Sequence, residues 1–229
     1  IDLGAEDGQG RIRDRDLRAS EEALRASWEF KPSLFTFVEA GINQRTYKVA
    51  ALSDGIRRDS IGERYRIGIS FGNVGARVRG EISTGYGTQH PDDGRLRGMS
   101  GILFDANLAW RYDALTSFMF TARTDVTETT LANSGGAFSH QLGTEARHAF
   151  KRNLIGSAGL SYTTQDYEGV SLNEHEWKST LGLEYFLNHA VILFGKYQHT
   201  AFSSTDNSRN YNADEVRIVY KVQLHPLVL

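Results

Sequence analysis

The chain alternates apolar and polar residues over segments of about ten residues, and each segment ends in a turn. Leu181, Leu183 and Tyr185 alternate with Gly182 and Glu184, and the same period of two recurs along 211–224. Such alternation predicts β-strands with one apolar and one polar face. Successive segments of this kind lie at about 16–30, 33–46, 61–72, 75–87, 98–112, 115–128, 137–150, 153–168, 174–187, 189–203 and 211–224.

The predicted connections alternate strictly between short and long. The short ones lie at 31–33, 72–75, 113–114, 151–153 and 188–189, and the long polar ones at 4–15, 47–60, 88–97, 129–136, 169–173 and 204–210. Short turns at one end and long loops at the other are typical of outer-membrane barrels, in which the short turns face the periplasm. The sequence therefore predicts an all-β, antiparallel, up-and-down transmembrane β-barrel with 11–12 strands in this chain, the twelfth completed by a stub at 1–3.

One predicted strand also fits a helix. Between Leu17 and Trp28 the apolar residues Leu17, Leu24 and Trp28 would share one stripe of an amphipathic helix. The strand interpretation places Leu24 and Trp28 on one face with Arg25 opposite, and it supplies a hairpin partner for the next strand. We expect the strand.

The composition is compatible with a membrane barrel and excludes several kinds of binding site. Lys and Arg number 26 against 28 Asp and Glu, which is not the balance of a nucleic-acid binder. The mean hydropathy of −0.42 suits a soluble β-sandwich, but a barrel with a wet interior also presents only every second residue to lipid. No apolar run approaches the ~18 residues of a membrane helix. The absence of cysteine excludes thiolate metal sites and disulfides.

The polar face of the predicted strands carries many charges, and unpaired charges are too costly to bury in a dry core. We expect them to line a wet lumen that leans positive. The residues are Arg25, Glu39, Arg66, Arg77, Arg79, Glu81, Asp105, Arg111, Arg123, Asp125, Glu145, Arg147, Lys178, Glu184, Lys196, Arg217 and Lys221. Arg66, Arg77 and Arg79 would form a cationic ladder that selects anionic solutes, unless they pair with Glu81 and Glu39.

Aromatic residues near the predicted strand ends suit the interfacial girdles of a membrane barrel. They are Trp28, Trp110, Tyr112, Phe150, Tyr167, Trp177, Tyr185, Phe186 and Phe202. The alternation breaks at Ile192 and Phe194, where we expect a plug contact or a subunit contact.

Catalytic and metal-binding signals are weak. The motifs of hydrolases, zinc proteases, P-loops and dinucleotide folds are missing. His199 near Ser203 and Ser204, and His140 beside Ser139, lack an orienting carboxylate, so we predict no enzyme and no cofactor. The acidic segment 6–16 could offer oxygen ligands to Ca²⁺ but lacks EF-hand spacing, and we expect it to be solvated.

Six stretches carry a family resemblance: 33–41 (SLFTFVEAG), 108–116 (LAWRYDALT), 123–130 (RTDVTETT), 153–162 (NLIGSAGLSY), 167–169 (YEG) and 182–188 (GLEYFLN). In their order and spacing they resemble the putative β-barrel porin type 2 family of proteobacterial outer membranes. The resemblance covers most of 16–224 and implies a barrel without known catalytic residues. Some members of the family are associated with exopolysaccharide secretion. Family members are longer, which implies that 1–229 is a single barrel domain lacking its N-terminal strands, within an intact barrel of roughly 16–18 strands.

These observations together predict a bacterial outer-membrane channel whose partners are outer-membrane lipid and, by the resemblance, exopolysaccharide or periplasmic export components. It would pass hydrophilic solutes or an exported polysaccharide through a polar, charge-lined lumen. The alternative is a non-conducting structural or adhesive barrel that acts through its long loops. One feature departs from the pattern, because outer-membrane barrels usually end on an aromatic residue and this chain continues past Leu224 to Leu229.

Overall fold

The structure is a computed structural model, and it describes residues 16–222 apart from Leu52, Glu128, Thr130 and His189. The predicted all-β, up-and-down architecture is confirmed. The strands are β1 (Leu17–Lys31), β2 (Leu34–Tyr47), β3 (Ser60–Phe71), β4 (Val78–Pro91), β5 (Met99–Arg111), β6 (Thr116–Thr127), β7 (Gly136–Lys151), β8 (Leu154–Glu168), β9 (Asn173–Phe186), β10 (Val191–Ser204) and β11 (Tyr211–Val222).

These strands form one sheet in sequence order, and each pairs antiparallel with the next. Within the described residues β1 and β11 are free edges, so the sheet is open. The only helical segment there is a single 3₁₀ turn at Asn207–Arg209. In the part of the chain that the structure describes, no helix is long and apolar enough to cross a membrane.

The doubtful first segment is a strand. β1 pairs with β2 from Leu17 to Lys31, so hairpin pairing overrides the helical spacing of Leu17, Leu24 and Trp28. The stub at 1–3, nearly all of the acidic segment and the residues after Val222 lie outside the described part of the chain.

β4 differs most from its predicted bounds of 75–87, since it runs from Val78 to Pro91. The preceding turn 72–77 is bonded to β5 by Arg111, which donates to the Gly75 carbonyl from its side chain and to the Arg77 carbonyl from its backbone N–H. The β8–β9 connection is only 169–172, no longer than the turn 112–115. The turn 72–77 is as long as the loop 205–210, so the strict alternation of short and long connections is wrong at both places. We call the end with connections 48–59, 92–98 and 128–135 the loop end, and the opposite end the turn end.

The register sorts side chains onto two faces, because directly paired residues point the same way. We call the face that carries Arg25, Glu39 and Arg66 the polar face; these three residues are paired across β1, β2 and β3. The other face, the apolar face, carries exposed side chains such as Leu24 (79%), Ile102 (72%) and Ile218 (73%). Its charged residues in the strands lie away from the middle of the sheet: Arg18, Glu22, Glu63, Asp166, Glu168 and Asp214 towards the loop end, and Lys31 and Lys151, which follow register shifts, at the turn end.

The apolar face has an aromatic residue near each end of several strands. On β9, Trp177 and Tyr185 are eight residues apart with Leu181 midway. That interval is roughly 27 Å along a strand, or about 20 Å of bilayer at a tilt near 40°. Trp28, Trp110 and Phe150 lie at the turn end of this face. Three other residues of the predicted aromatic girdle point to the polar face instead: Tyr167, Phe186 and Phe202.

A stack of three residues stabilises the polar face between β1 and β3. The guanidinium of Arg25 lies 3.4 Å from the ring centre of Phe37, a cation–π contact. Phe37 is only 2% exposed and lies over Gly68, to which it is paired. A Cβ at Gly68 would stand 2.4 Å from the Phe37 ring and 2.6 Å from the Ile82 carbonyl oxygen. Gly68 therefore leaves the space that the ring of Phe37 needs.

Gly68→Ala is expected to destabilise the sheet by about 1–3 kcal/mol, because the added methyl displaces the Phe37 ring and with it Arg25. Urea unfolding in detergent micelles measures the change. Gly195→Ala is the matched control, since a Cβ at this strand glycine meets nothing within 4 Å. Equal unfolding midpoints for the two variants would contradict the packing argument.

Candidate functional site: the polar face and the clamped loops

The predicted lumen residues share one face. The register places all of them on the polar face except Arg77, which lies in the turn before β4 and donates to the Tyr112 carbonyl at 3.3 Å. The predicted positive lean of this face is reduced by residues that the sequence analysis did not select. These are Glu21, Glu29, Glu174, Glu176 and Glu215, which only Arg45 and Arg64 offset.

Ion pairs cross the polar face between several strands. Arg25 of β1 binds Glu81 of β4 at 2.6 Å and lies 4.0 Å from Glu39 of β2. Arg64 pairs with Glu21 and lies 3.6 Å from Glu39, and Arg147 of β7 binds Glu184 of β9 at 2.8 Å. The predicted partners of the cationic ladder, Glu81 and Glu39, are thus occupied by Arg25 and Arg64.

The register separates the three residues of the predicted ladder. Arg66 lies opposite Gly85, whereas Arg79 lies six positions further along β4, roughly 20 Å away. Arg77 and Arg79 lie together at the turn end.

A different set of cations is aligned. Arg111, Ser117, Arg147, Ser157, Gly182, Lys196 and Arg217 are directly paired in succession from β5 to β11. We call this set the basic row. It carries four cations and three small residues and contains no carboxylate, and two of the cations, Lys196 and Arg217, are direct neighbours. Sequence spacing could not reveal it, because it depends on the registers of six strand pairs.

The sheet curves towards the polar face. Arg45 of β2 donates to the Val126 carbonyl of β6 at 3.2 Å, although four strand spacings measure roughly 19 Å in a flat sheet. Pairing between β5 and β6 ends at Asp105 and Arg123, so the last residues of β6 separate from β5.

The loop end of the β6–β7 hairpin lies over the polar face. A Cβ at Gly101, which would point to the polar face of β5, would stand 2.8 Å from the ring of Phe138 on β7. Met99, on the same face, is 3% exposed, and its side chain approaches Gly136. The hairpin therefore narrows the space in front of the polar face.

Two loops are clamped together above this hairpin. The guanidinium of Arg58 donates to Asp54 at 2.7 Å, to the Leu131 carbonyl at 2.6 Å and to the Ser134 carbonyl at 3.3 Å. The backbone N–H of Asn133, in loop 128–135, donates to the carboxylate of Asp54, in loop 48–59, at 3.2 Å. We call Asp54, Arg58, Leu131, Asn133 and Ser134 the mouth clamp. The side chains of Arg58 and Asp54 are only 3% and 9% exposed.

The charge of Asp54 is stabilised by its partners. Burial would raise its pKa, but hydrogen bonds from Arg58 and from the N–H groups of Ile56 and Asn133 outweigh that effect and hold the pKa below 3.8. In the loop 92–98, the hydrogen bond from the Arg95 side chain lowers the pKa of half-buried Asp93 to about 2.

The mouth clamp is expected to persist from neutral pH to about pH 4 and to weaken below it. A lowered pKa in the folded state stabilises that state above the unfolded value of 3.8, and the contribution is lost as the pH falls through the folded value. The opening of the mouth clamp is measured by trypsin cleavage in loop 48–59. The protein is exposed briefly to a pH between 3 and 7 and is then neutralised rapidly in the presence of the protease. Asp54→Asn should remove this acid step, and an unchanged step in that variant would assign it to another group.

The serine and histidine pairs of the sequence do not assemble a hydrolase site. His199 does have a carboxylate partner, Asp214 at 2.9 Å on β11, which the sequence did not reveal. Ser179 lies opposite His199, but no hydrogen bond between them is present among the described residues. His140 contacts Thr124 rather than Ser139. Within the described residues no group of three His, Asp or Glu side chains could hold a metal ion.

Ile192 and Phe194 break the alternation because they point to the polar face. They are paired with Phe186 and Glu184 of β9, and with Lys221 and Val219 of β11. Phe186, Ile192, Phe194 and Val219 therefore form a small apolar patch on the polar face at the turn end, and whether it contacts a plug or a subunit stays a prediction.

The most important residue that the sequence analysis missed is Arg58. It lies in a predicted long loop, where arginine is normally solvated, and nothing in the sequence pairs loop 48–59 with loop 128–135. The local spacing of Asp54 and Arg58 was the available signal.

Comparisons with known proteins agree with the fold. A family model described as putative beta-barrel porin 2 matches residues 3–224. Among solved structures, the outer membrane channel DcaP of Acinetobacter baumannii is similar, with a TM-score of 0.62 and 12% sequence identity. The match covers 87% of this chain and 61% of the DcaP chain. A search of curated proteins found no match.

Proposed function

The chain belongs to the putative beta-barrel porin 2 family, and on that premise we propose that it forms an outer-membrane channel for small hydrophilic solutes. The observation that carries the proposal is the division of the sheet into an exposed apolar face and a charged face. A bilayer covers the first face, and water fills the space in front of the second. Family and structural similarity to a channel point to passage rather than catalysis.

The curvature of the sheet supports an inward polar face. Arg45 and Val126 are joined across four strand spacings, and so are Arg25 and Glu81 across three. Both contacts lie on the polar face, which is therefore the concave one. Concave and charged is the arrangement of a water-filled barrel interior.

The loops at the loop end limit the size of the solute that can pass. The β6–β7 hairpin lies over the polar face, and the mouth clamp joins it to loop 48–59. Such a constriction favours small solutes over an exported polysaccharide, the other cargo that the sequence suggested. Selectivity then depends on the charges of the polar face, which remain ionised only in a wet lumen.

Both edges of the sheet need partners in a bilayer, because unpaired backbone groups in hydrocarbon cost several kcal/mol each. β1 and β11 have none among the described residues. We propose that further strands close the wall, as in a larger barrel in a bacterial outer membrane.

A second candidate is a non-conducting barrel that acts through its loops. The ion pairs Arg25–Glu81 and Arg147–Glu184 favour it, since salt bridges across a lumen can block it. Both candidates share the apolar face, so membrane insertion does not separate them.

Single-channel conductance of the purified, refolded full-length protein that contains this chain, measured in planar bilayers, tests the proposal. Stable current steps that scale with KCl concentration, together with uptake of small sugars and exclusion of polysaccharide in vesicle swelling, are expected. A protein that is heat-modifiable on gels and inserted but carries no current would favour the non-conducting barrel.

A further inference from the structure

A cavity of about 440 Å³ lies on the polar face at the turn end, beneath the β3–β4 turn. Its polar lining residues are Arg79, Arg111, Ser117, Glu145 and Arg147, and apolar residues such as Ala76 of that turn, Ala109 and Met119 complete the lining. Three guanidinium groups face one carboxylate there, so the cavity is positive although the polar face as a whole is nearly balanced.

The three arginines differ in how far their donors are used. Arg111 donates to the Gly75 carbonyl, and Arg147 donates to Glu184 at 2.8 Å. The side chain of Arg79 makes no hydrogen bond or ion pair with any residue that the structure describes. Because a guanidinium has five N–H donors, Arg111 and Arg147 also keep donors for a ligand.

The cavity is continuous with the basic row. Arg111, Ser117 and Arg147 belong to both, and the row continues from the cavity to Lys196 and Arg217. A bound anion therefore has further cations along the wall, three strands away at Lys196 and next to it at Arg217, which offers several weak sites rather than one trap.

We propose, building on the channel function above, that this cavity binds the oxyanion group of small solutes and makes the channel anion-preferring. Arg79 and Arg111 are the principal ligands, because guanidinium forks match carboxylate, phosphate and sulfate bidentately. Ser117 contributes a hydroxyl, and Glu145 weakens binding by repulsion. The volume suits a small solute. The site lies on the polar face, away from lipid, so the ligand comes from the aqueous lumen rather than from a phospholipid headgroup.

Inorganic phosphate is the probe, with binding to the refolded full chain in micelles measured by isothermal titration calorimetry. Arg79→Ser is expected to weaken phosphate binding about tenfold, because it removes a charged donor without removing a protein–protein contact. Glu145→Gln should strengthen binding several-fold. Arg152→Ser is the matched control: it removes an exposed arginine at the same end of the sheet, outside the cavity, and should change binding less than twofold.

A second readout places the site in the channel. In planar bilayers with a KCl gradient, Arg79→Ser should lower the chloride-to-potassium permeability ratio and raise the half-blocking phosphate concentration by a similar factor. Phosphate binding that is equal in Arg79→Ser and the parent protein would overturn the site while leaving the channel intact. Binding that Arg79→Ser weakens in a protein that carries no current would support the site and contradict the channel. Equal phosphate affinity in vesicles with and without the protein would assign binding to lipid and overturn the proposal.

Discussion

Arg58→Ala should free the loops at the mouth of the proposed channel, shifting their docking equilibrium by about 3–5 kcal/mol, or between two and four orders of magnitude. The Arg58 guanidinium contacts Asp54, Leu131 and Ser134, so its loss removes bonds between both loops. It also leaves the buried Asp54 carboxylate without its counter-ion. We expect larger and more variable single-channel currents, and faster trypsin cleavage in loop 48–59.

Arg57→Ala is the control for this experiment. Arg57 is the preceding residue and carries the same charge, but its side chain is 60% exposed and its ion pair is with Asp59 at 2.6 Å. Asp59 is buried but keeps the hydrogen bond from the Tyr47 N–H, and among the described residues Arg57 makes no hydrogen bond to loop 128–135. Currents and cleavage should therefore change far less than in Arg58→Ala. If the two variants behaved alike, the mouth clamp would not hold the loops.

Leu181→Arg should destabilise the inserted protein by about 2–4 kcal/mol, the cost of an arginine near the bilayer midplane on the lipid face of a barrel. Leu181 is 59% exposed on the apolar face, midway between Trp177 and Tyr185. Its neighbours across the sheet, Ala158 and Tyr197, offer no countercharge. Urea unfolding in phospholipid vesicles measures the difference.

The control is the adjacent residue on the same strand. Thr180 points to the polar face, in the row of Glu145 and Glu215, so Thr180→Arg should cost less than about 1 kcal/mol. A larger cost at Thr180 than at Leu181 would mean that the two faces are assigned the wrong way round.

Much of the fold was predictable because a strand in a barrel is a local pattern. The period of two along 174–187 identifies β9 and its faces without any neighbour, and turn residues mark where it ends. Even β1, whose spacing also fits a helix, is predicted as a strand by the hairpin that the next segment requires. The segment 72–77 was less predictable, because its backbone is held by Arg111 from a different strand.

The candidate site was also predictable only where it depends on a local pattern. The alternation of the sequence by itself determined which residues share the polar face, since a side chain's face depends only on its position along its own strand. Only the tertiary structure decided which of them meet: the register joins Arg111, Arg147, Lys196 and Arg217 into one row and separates Arg66 from Arg79. The mouth clamp was likewise beyond the sequence, because Arg58 binds Leu131 across more than seventy residues. Contacts of that kind depend on how strands curve and loops fold back, and no local period records them.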